Sequence, residues 1–254
     1  MEWRQQRGFT MSDVEVKGGY HFSVVIPVYN EEALLETAIT DLVAHLEEIP
    51  LVWEVIIAEN GSTDRTPEIA RQLVKKFRNV RYLHVDEPNY GKALKQGILE
   101  ARGIYVICDE IDIIDVDFYK ESLKLLMEED WDMIIGSKLV GGAQDKRPWI
   151  RHLATRVINF LLKILLGFKG SDTHGLKAFK KSALIDIVNA CVVDKDLFAS
   201  EMVIRAERAG LKIKEIPVTI IEKRKPQIHL FKRVPNVLKN LWKLFWAIRF
   251  NKKA

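Results

Sequence analysis

The stretch that decides the fold reads Arg102-Gly103-Ile104-Tyr105-Val106-Ile107-Cys108-Asp109-Glu110-Ile111-Asp112. Its apolar, partly β-branched run at residues 105–108 is long enough for a strand that is buried in a parallel sheet. The carboxylates of Asp109, Glu110 and Asp112 follow this run directly. Ligands of open α/β sheets bind beyond the carboxyl ends of the strands, so these acids are predicted to face a cleft.

Glu110 and Asp112 are separated by one apolar residue, and in an extended chain their side chains would project to the same side. Two such carboxylates, together with water and substrate phosphates, form the oxygen environment that hard cations such as Mg²⁺ prefer. An acidic loop that caps the following helix would show the same spacing. The stretch therefore leaves two interpretations open, a metal site and a helix cap.

Strand-like and helix-like segments alternate along the first half of the chain. Three further apolar runs predict strands, at residues 22–27, 53–58 and 80–85. Helices are predicted at residues 32–48 and 66–76, and a third runs from Asn89-Tyr90-Gly91-Lys92 to Ala101. Because the connections are too long for hairpins, this alternation predicts an α/β fold with a parallel sheet.

The overall composition narrows the class of protein. The chain has 254 residues, of which 48% are hydrophobic, and this is enough for one large core. Its two cysteines, Cys108 and Cys191, form no disulfide framework, and a reducing compartment is expected. Residues 1–20 lack the apolar segment of a signal peptide, and no apolar run approaches the roughly 20 residues of a membrane span. We therefore expect a cytoplasmic protein.

Basic residues are concentrated at the C-terminus. The net charge is +4, but residues 223–254 contain ten Lys or Arg and no acid. Removing these ten from the 39 basic residues leaves 29 against 35 acidic ones, a net charge of −6. An acidic body with a basic end predicts an anionic partner at that end.

The basic segment also has the periodicity of an amphipathic helix. Apolar residues recur at helical spacing, at Val234, Leu238, Leu241, Phe245 and Ile248. The aromatic and basic residues between them are Trp242, Trp246, Lys239, Lys243 and Arg249. This composition is typical of a helix that lies on a membrane, although a helix packed on the domain or on a second copy of the chain remains the alternative. Nucleic-acid binding is not expected, because the aromatic residues share an apolar face and are not interleaved for base stacking.

Seven motifs occur in the order and spacing of the family-two glycosyltransferases. The first four are Val25-Ile26-Pro27-Val28-Tyr29-Asn30-Glu31, Glu59-Asn60-Gly61-Ser62-Thr63-Asp64, Asn89-Tyr90-Gly91-Lys92 and Glu110-Ile111-Asp112. The others are residues 132–138, 172–179 and 201–210, the last leading to Glu215-Ile216-Pro217-Val218. Together they cover about residues 22–225, and the chain resembles most the polyprenyl-phosphate (dolichyl-phosphate) mannosyl- or glucosyltransferases.

The resemblance implies a GT-A fold, with a mostly parallel, Rossmann-like sheet between helices, and a donor site for a nucleotide-sugar. Its donor contacts carry over to Pro27, Tyr29, Glu31, Glu59, Lys92, Asp109, Glu110 and Arg224. Glu110 and Asp112 would hold Mg²⁺ or Mn²⁺ against the donor phosphates, where the metal stabilises the charge of the leaving diphosphate. For Lys92, a solvated lysine at the start of a helix is the alternative.

Two positions depart from the family pattern. Glu59 and Asn60 stand where Asp residues are usual, and Glu110 replaces the first Asp of an Asp-x-Asp. Glu110 keeps the charge and adds a methylene, whereas Asn60 removes one charge near the nucleoside. Asp115-Val116-Asp117 is a literal Asp-x-Asp, but it lies past the strand end, where a helix cap is expected.

The acceptor site is predicted on the next long helix. Arg147, Arg151, Thr155 and Asn159 recur every four residues and form one polar face. A solvated stripe would show the same pattern, but arginine is well suited to phosphate. The resemblance implies that Arg151 and Thr155 hold the acceptor phosphate, and that Lys138 stands where Arg is usual. A phosphate is already ionised near neutral pH, so such an enzyme needs no catalytic histidine.

These expectations define three segments and one principal function. Residues 1–21 are predicted to be a flexible N-terminal segment, 22–225 the glycosyltransferase domain, and 226–254 a membrane-associating tail. Glu110, Asp112 and Arg151 would be the catalytic residues. The enzyme would move a sugar from a GDP- or UDP-linked donor to a polyprenyl phosphate at the cytoplasmic face of a membrane.

Two other functions remain open. A transferase to a hydroxyl acceptor would need a carboxylate base near Asp172 or Glu201. A non-catalytic module that binds nucleotide-sugars at a membrane surface would tolerate the departures at Glu59, Asn60 and Glu110. A homo-oligomer is compatible with the sequence.

Overall fold

The computed structural model describes residues 19–141, 144–145, 149–173, 175–220 and 230–249. Within these ranges, the side chains of residues 144–145, 149–155, 196, 219–220 and 230–238 lie outside the description. Nine strands are found in the described residues: β1 (Tyr20–Val28), β2 (Trp53–Asn60), β3 (Val80–Val85), β4 (Gly103–Cys108), β5 (Met133–Ser137), β6 (Gln144–Asp145), β7 (Leu176–Lys180), β8 (Ile213–Pro217) and β9 (Thr219–Ile220). The helices of this part of the chain are α1 (Leu35–Glu47), α2 (Thr66–Lys76), α3 (Tyr90–Glu100), α4 (Val116–Glu128), α5 (Trp149–Leu166), α6 (Lys181–Ala190), α7 (Phe198–Arg208) and α8 (Leu230–Arg249).

Seven strands form one sheet in the order β3-β2-β1-β4-β7-β5-β8. β7 is antiparallel to both of its neighbours, and the other neighbouring strands are parallel. β6 and β9 pair as a separate parallel ribbon. The helices that connect parallel strands return the chain to the starting edge of the sheet, so that successive strands end at one common edge. The predicted α/β fold with a mostly parallel sheet is confirmed.

The sheet is covered on both faces, because successive residues of a strand point to opposite sides. In β1, Val24 and Ile26 belong to a core cluster that contains residues of α1, α2 and α4. Val25 belongs to a second cluster, which contains residues of α3 and of α5 to α8. This burial on both faces explains why the strands read as nearly continuous apolar runs.

β1 is longer at both ends than the sequence predicts. It begins at Tyr20, before the predicted domain start at residue 22, and continues through Pro27 to Val28. The carbonyl of Val25 accepts from the N–H of Asp109 at 3.1 Å, so the backbone polar groups of Val25 are directed toward β4. Those of Pro27, two residues later, are directed to the same side. Registered pairing with β4 ends at Val25, and the missing N–H of Pro27 therefore costs no ladder hydrogen bond.

The C-terminal helix α8 packs on the domain with one face. Leu241 and Leu244 belong to the same core cluster as Leu162 of α5. Arg208 of α7 donates to the carbonyl of Ile248 at 3.3 Å. One face of α8 therefore agrees with the alternative interpretation of this segment, a helix that packs on the domain. No helix within the described ranges combines the length and the apolar composition that crossing a membrane requires.

Candidate active site

The carboxyl ends of the parallel strands and the start of the antiparallel β7 meet at one edge of the sheet. Val28 at the end of β1 pairs with Glu59, and Glu59 pairs with His84 near the end of β3. Cys108, the last residue of β4, pairs with Lys177 near the start of β7. The motifs that are distant in the sequence thus converge on the edge where α/β folds bind their ligands.

The chain turns directly after β4. The carbonyl of Glu110 accepts from the N–H of Ile113 at 3.0 Å, so the assumption of an extended chain between Glu110 and Asp112 is wrong. Both acids are nevertheless half-buried at the strand end. Burial raises the pKa of the Tyr90 hydroxyl well above its usual value, and the charges of Glu110 and Asp112 contribute to the increase. The charge of Asp109 contributes as well, so all three carboxylates of this strand end lie near the Tyr90 hydroxyl.

Asp109 is buried at the strand end. Its buried carboxylate accepts hydrogen bonds from the Tyr119 hydroxyl at 2.5 Å and from the N–H groups of Glu110 at 2.6 Å and Asp115 at 3.3 Å. Burial raises the pKa of Asp109 to about 7, although these hydrogen bonds oppose the increase. The Asp109 carboxylate thus supports the turn that carries Glu110, and its contact with the donor stays a prediction.

The loops after β1 and β2 are joined by hydrogen bonds. The N–H of Asn30 donates to the Ser62 hydroxyl at 3.0 Å, and the N–H of Glu31 donates to the Thr66 hydroxyl at 2.7 Å. Asn30 has a φ of 53°, a left-handed conformation that asparagine tolerates better than most residues. These bonds fix the backbone that carries the predicted nucleoside contacts Pro27, Tyr29 and Glu31.

Glu59 is fully buried at the end of β2. Its Oε1 accepts from the N–H of Ser62 at 2.5 Å, and its Oε2 accepts from the Tyr82 hydroxyl at 3.3 Å. A short hydrogen bond also joins Oε2 to Nδ1 of His84. The carboxylate that the resemblance assigns to the nucleoside is therefore bonded to protein groups through both of its oxygens.

Asn60, the second departure from the family pattern, connects three segments of this edge. Its amide donates to the carbonyl of Val28 at 2.8 Å, and its Oδ1 accepts from the N–H of Asn89 at 3.1 Å. Asn89 in turn caps α3 by accepting from the N–H of Lys92 at 3.0 Å. A carboxylate at position 60 could not donate to the carbonyl of Val28, and this hydrogen bond explains why an amide stands at this position.

Lys92 is directed to the surface in this structure. Its Nζ lies 2.9 Å from Oε1 of Glu87, and both side chains are about half exposed. Glu87 raises the pKa of Lys92 through this hydrogen bond. This position agrees with the alternative interpretation, a solvated lysine at the start of a helix. The contact of Lys92 with the donor stays a prediction.

On the acceptor side, Lys138 is engaged in an ion pair within the protein. Its Nζ lies 3.4 Å from Oδ2 of Asp172, and the two side chains are 5% and 0% exposed. Asn159, the last member of the polar stripe, is buried and donates to the carbonyl of Ser171 at 2.9 Å. Lys138 and Asn159 therefore support the fold, and the phosphate contact of Lys138 stays a prediction.

The remaining predicted acceptor residues lie at the limit of what the structure describes. Arg151 and Thr155 belong to α5, but their side chains lie outside the description. Arg147 and Arg224 lie outside the described residues. The roles of these four residues stay predictions.

The structure adds Lys177 to the site, a residue to which the sequence analysis assigned no role. Its buried Nζ donates to the carbonyl of Gly175 at 2.6 Å. Burial lowers the pKa of Lys177, whereas the charges of Asp172 and Glu110 oppose the decrease. Its position in the motif at residues 172–179 is the signal in the sequence, but the pairing of β7 with β4 is needed to bring it near Glu110.

Glu201 has a structural role. Its Oε2 accepts from the N–H groups of Val192 at 3.0 Å and Val193 at 2.6 Å, and its Oε1 pairs with Arg205 at 2.8 Å. The side chain is fully buried, and these contacts tie α7 to the loop that precedes it. Glu201 is therefore not placed to act as the base that a hydroxyl acceptor would need.

A family model described as glycosyl transferase family 2 matches residues 23–188, which include β1 from residue 23 onward, the strands β2 to β7 and most of α6. The chain belongs to glycosyl transferase family 2. The membership predicted from the seven motifs is therefore confirmed.

Curated relatives agree with this assignment. Glycosyltransferase AglD of Haloferax volcanii is 30% identical over 236 residues, which are 91% of this chain and 38% of the relative. The low-salt glycan biosynthesis hexosyltransferase Agl6 of the same organism is 31% identical over 201 residues, 78% of this chain and 47% of the relative. A dolichyl-phosphate beta-glucosyltransferase of Trichomonas vaginalis is 26% identical over 215 residues, 78% of this chain and 65% of the relative. The chain thus spans between 38% and 65% of the length of these relatives.

Among solved structures, the fold is similar to that of glucosyl-3-phosphoglycerate synthase from Mycobacterium tuberculosis, crystallised with Mn²⁺, uridine diphosphate and phosphoglyceric acid. The TM-score is 0.66 at 21% identity, and the match covers 95% of this chain and 84% of that one. This likeness confirms the predicted GT-A type of fold.

Proposed function

We propose that this chain transfers a hexose from a nucleotide-sugar to a polyprenyl (dolichyl-type) phosphate at a membrane surface. The main observation for this proposal is the position of the donor motifs and of Glu110 and Asp112 at the carboxyl ends of the parallel strands. The segment that contains α5 begins and ends at the same side of the sheet. That segment leaves the edge at the end of β5 and returns to it at the start of β7. The dolichyl-phosphate beta-glucosyltransferase among the relatives supports the proposed acceptor.

Glu110 and Asp112 suit a divalent cation that is bound together with the donor diphosphate. Within the described residues, no three His, Cys, Asp or Glu side chains form a complete metal site. Two carboxylates at a half-exposed strand end fit a cation whose coordination is completed by substrate phosphates and water. Mg²⁺ or Mn²⁺ held there would neutralise the charge that develops on the leaving diphosphate. The Mn²⁺ and uridine diphosphate of the mycobacterial synthase support this part of the proposal.

The acceptor phosphate is its own nucleophile in this proposal. A phosphate monoester is ionised near pH 7, so the protein has to position it and does not have to deprotonate it. Arg151, Thr155 and Arg147 would hold the phosphate, and Arg224 would contact the donor. A hydroxyl acceptor would need a carboxylate base, but Glu201 is bonded to Arg205 and Asp172 is paired with Lys138.

A patch of exposed apolar side chains on α5 and α8 supports a lipid-facing surface. We call this patch the apolar platform; its residues are Val157, Phe160, Ile164, Trp242 and Trp246, with exposed fractions between 47% and 64%. Phe245, which the sequence assigns to the same face, packs against the core cluster instead. Exposed large apolar patches mark interaction sites, and the exposed Lys163, Lys239 and Lys243 on the same helices favour anionic lipid.

We further propose that this surface is the cytoplasmic face of the membrane. Both cysteines, Cys108 and Cys191, are buried free thiols, which supports a reducing compartment. Fractionation of cells that express the full-length protein, followed by protease treatment of sealed membranes, tests on which side of the membrane the protein lies. Protection of the protein inside the vesicles would contradict it.

A panel of substrates tests the proposed function as a whole. The protein would be incubated with UDP- and GDP-linked hexoses and with short polyprenyl phosphates, with and without Mn²⁺. We expect transfer to the lipid phosphate that depends on the cation. Transfer only to hydroxyl acceptors would contradict the proposed polyprenyl-phosphate acceptor. Nucleotide binding without any transfer would favour a non-catalytic module.

For the acceptor, Arg151→Ala is expected to raise the KM for polyprenyl phosphate by about ten- to a hundredfold, because a charge-assisted contact contributes about 1.5–3 kcal/mol. The KM for the nucleotide-sugar should change little. Steady-state rates with each substrate varied in turn give both constants. An equal effect on both constants would assign Arg151 to the donor diphosphate or to the fold.

For the apolar platform, replacing Trp242 and Trp246 together by Ser is expected to make binding to anionic vesicles fully sensitive to salt. The cations alone would then hold the protein, and their attraction is screened within a Debye length of about 10 Å at 0.1 M salt. Co-sedimentation with vesicles between low and high salt measures the effect. Val52→Ser is a matched control, because Val52 is 49% exposed near the opposite sheet edge. Absence of vesicle binding by the unchanged protein at low salt would contradict the proposal.

A further inference from the structure

His84 lies in the row of residues that leads outward from the predicted nucleoside contacts. Val28, Glu59 and His84 are paired across β1, β2 and β3, just before Tyr29 follows β1. Neighbouring strands are about 4.8 Å apart, which places His84 about 10 Å from the end of β1. The three residues thus form one line along the ligand-binding edge of the sheet.

The Glu59 carboxylate is not available to a ligand in this arrangement. It is 0% exposed, and its oxygens accept from the Ser62 N–H, the Tyr82 hydroxyl and the His84 ring. Glu59 is one methylene longer than the Asp that is usual at this position, and this length lets the carboxylate reach across to β3. The polar group that remains accessible in this row is the imidazole, whose side chain is 44% exposed.

The imidazole is held in one orientation. The Glu59 carboxylate engages Nδ1 of the ring, so that Nε2 is the second polar atom of the imidazole. The ring stacks on Tyr82 with centroids 6.3 Å apart, and Arg71 covers the Tyr82 ring at 5.4 Å. Nε2 lies 3.3 Å from Asp86, whose side chain is completely exposed, and such surface pairs contribute little. Nε2 is therefore the ring atom that a ligand can reach by displacing a weak partner.

We propose that His84 is a specificity-determining residue of the donor site, which contacts the nucleoside through Nε2 while Glu59 acts as its positioning residue. The proposal rests on the proposed function, because it assumes a nucleotide donor at this edge. Glu59 engages Nδ1, so Nε2 is the ring nitrogen that would form the hydrogen bond to the base or ribose.

Isothermal titration of the full chain with uridine and guanosine diphosphate, in the presence of Mn²⁺, tests this inference. His84→Phe keeps an aromatic ring beside Tyr82 and removes both nitrogens. We expect the Kd of the preferred diphosphate to rise about three- to tenfold, as for the loss of one hydrogen bond, and the preference between the two nucleotides to narrow. Glu59→Gln should have a similar effect. The double variant should be no weaker than either single variant, because both changes act through one contact.

Two controls separate recognition from folding. His45→Phe changes an exposed histidine on α1 and should leave both Kd values within about twofold. His84→Gln restores a side chain that can form a hydrogen bond and should recover part of the lost affinity, which a purely structural role would not require. Equal weakening of both nucleotides, or unchanged Kd values in His84→Phe, would overturn the inference while leaving the donor site in place. If the unchanged protein binds neither nucleotide, the proposed function itself is wrong.

Discussion

Replacing Glu110 or Asp112 by Ala is expected to reduce sugar transfer by about a hundred- to a thousandfold. Each change removes one of the two carboxylates that would hold a cation on the donor diphosphate, where it stabilises the leaving group. The fold should be retained, because both side chains are half-buried in a turn at the strand end. Initial rates at saturating donor and Mn²⁺, together with thermal unfolding of the same preparations, separate the two effects.

The literal Asp-x-Asp further along the chain supplies the matched control. Asp115 is the N-cap of α4, and its carboxylate accepts from the N–H of Phe118 at 2.9 Å. Asp115→Ala should therefore cost about 1 kcal/mol of stability and little activity. Asp117 is exposed in the first turn of α4, and its removal should cost still less. An essential Asp117 with a dispensable Glu110 would move the metal site to the later motif.

Asp109 is expected to lower the stability of the protein as the pH rises from about 4 to about 7. Its pKa is about 7 in the folded protein, mainly because of burial, and about 3.9 in an unfolded chain. Between these values the unfolded chain binds fewer protons than the folded one, so stability falls with increasing pH. Over about three pH units at about 1.4 kcal/mol each, the loss reaches at most about 4 kcal/mol.

Chemical denaturation of the protein and of Asp109→Asn, from pH 4.5 to 8 without divalent cations, measures this effect. The amide is uncharged at every pH, so the variant should gain stability relative to the unchanged protein as the pH rises, with the gain complete near pH 7. Asp130→Asn is a control without pH dependence in this range, because Lys212 lowers the pKa of the exposed Asp130 below its usual value and the carboxylate is ionised in both states above pH 4.5. A difference between Asp109→Asn and the unchanged protein that does not vary with pH would contradict the prediction.

Much of the fold is predictable because its signals are local. The predicted helix at residues 66–76 coincides with α2, and the predicted strand at 53–58 differs from β2 only at its end. The antiparallel insertion of β7 between β4 and β5 is not predictable in this way. It depends on pairing between segments that are far apart in the chain. The sequence pattern of β7 does not indicate which strands it pairs with. For the same reason, Lys177 has no recognisable role until it is seen beside Cys108.

The sequence by itself determined which residues follow each strand, and therefore that the polar motifs meet at one edge of an α/β sheet. The tertiary structure alone decided which of these side chains remain available to a ligand. Asp109 is hydrogen-bonded to Tyr119, Glu59 is enclosed by His84 and Tyr82, and Lys138 is paired with Asp172. A polar group can be buried only where a partner offsets its desolvation, and these partners come from other elements of the chain. Spacing along the sequence locates an acid at the end of a strand, but only the packed fold shows whether such a partner is present.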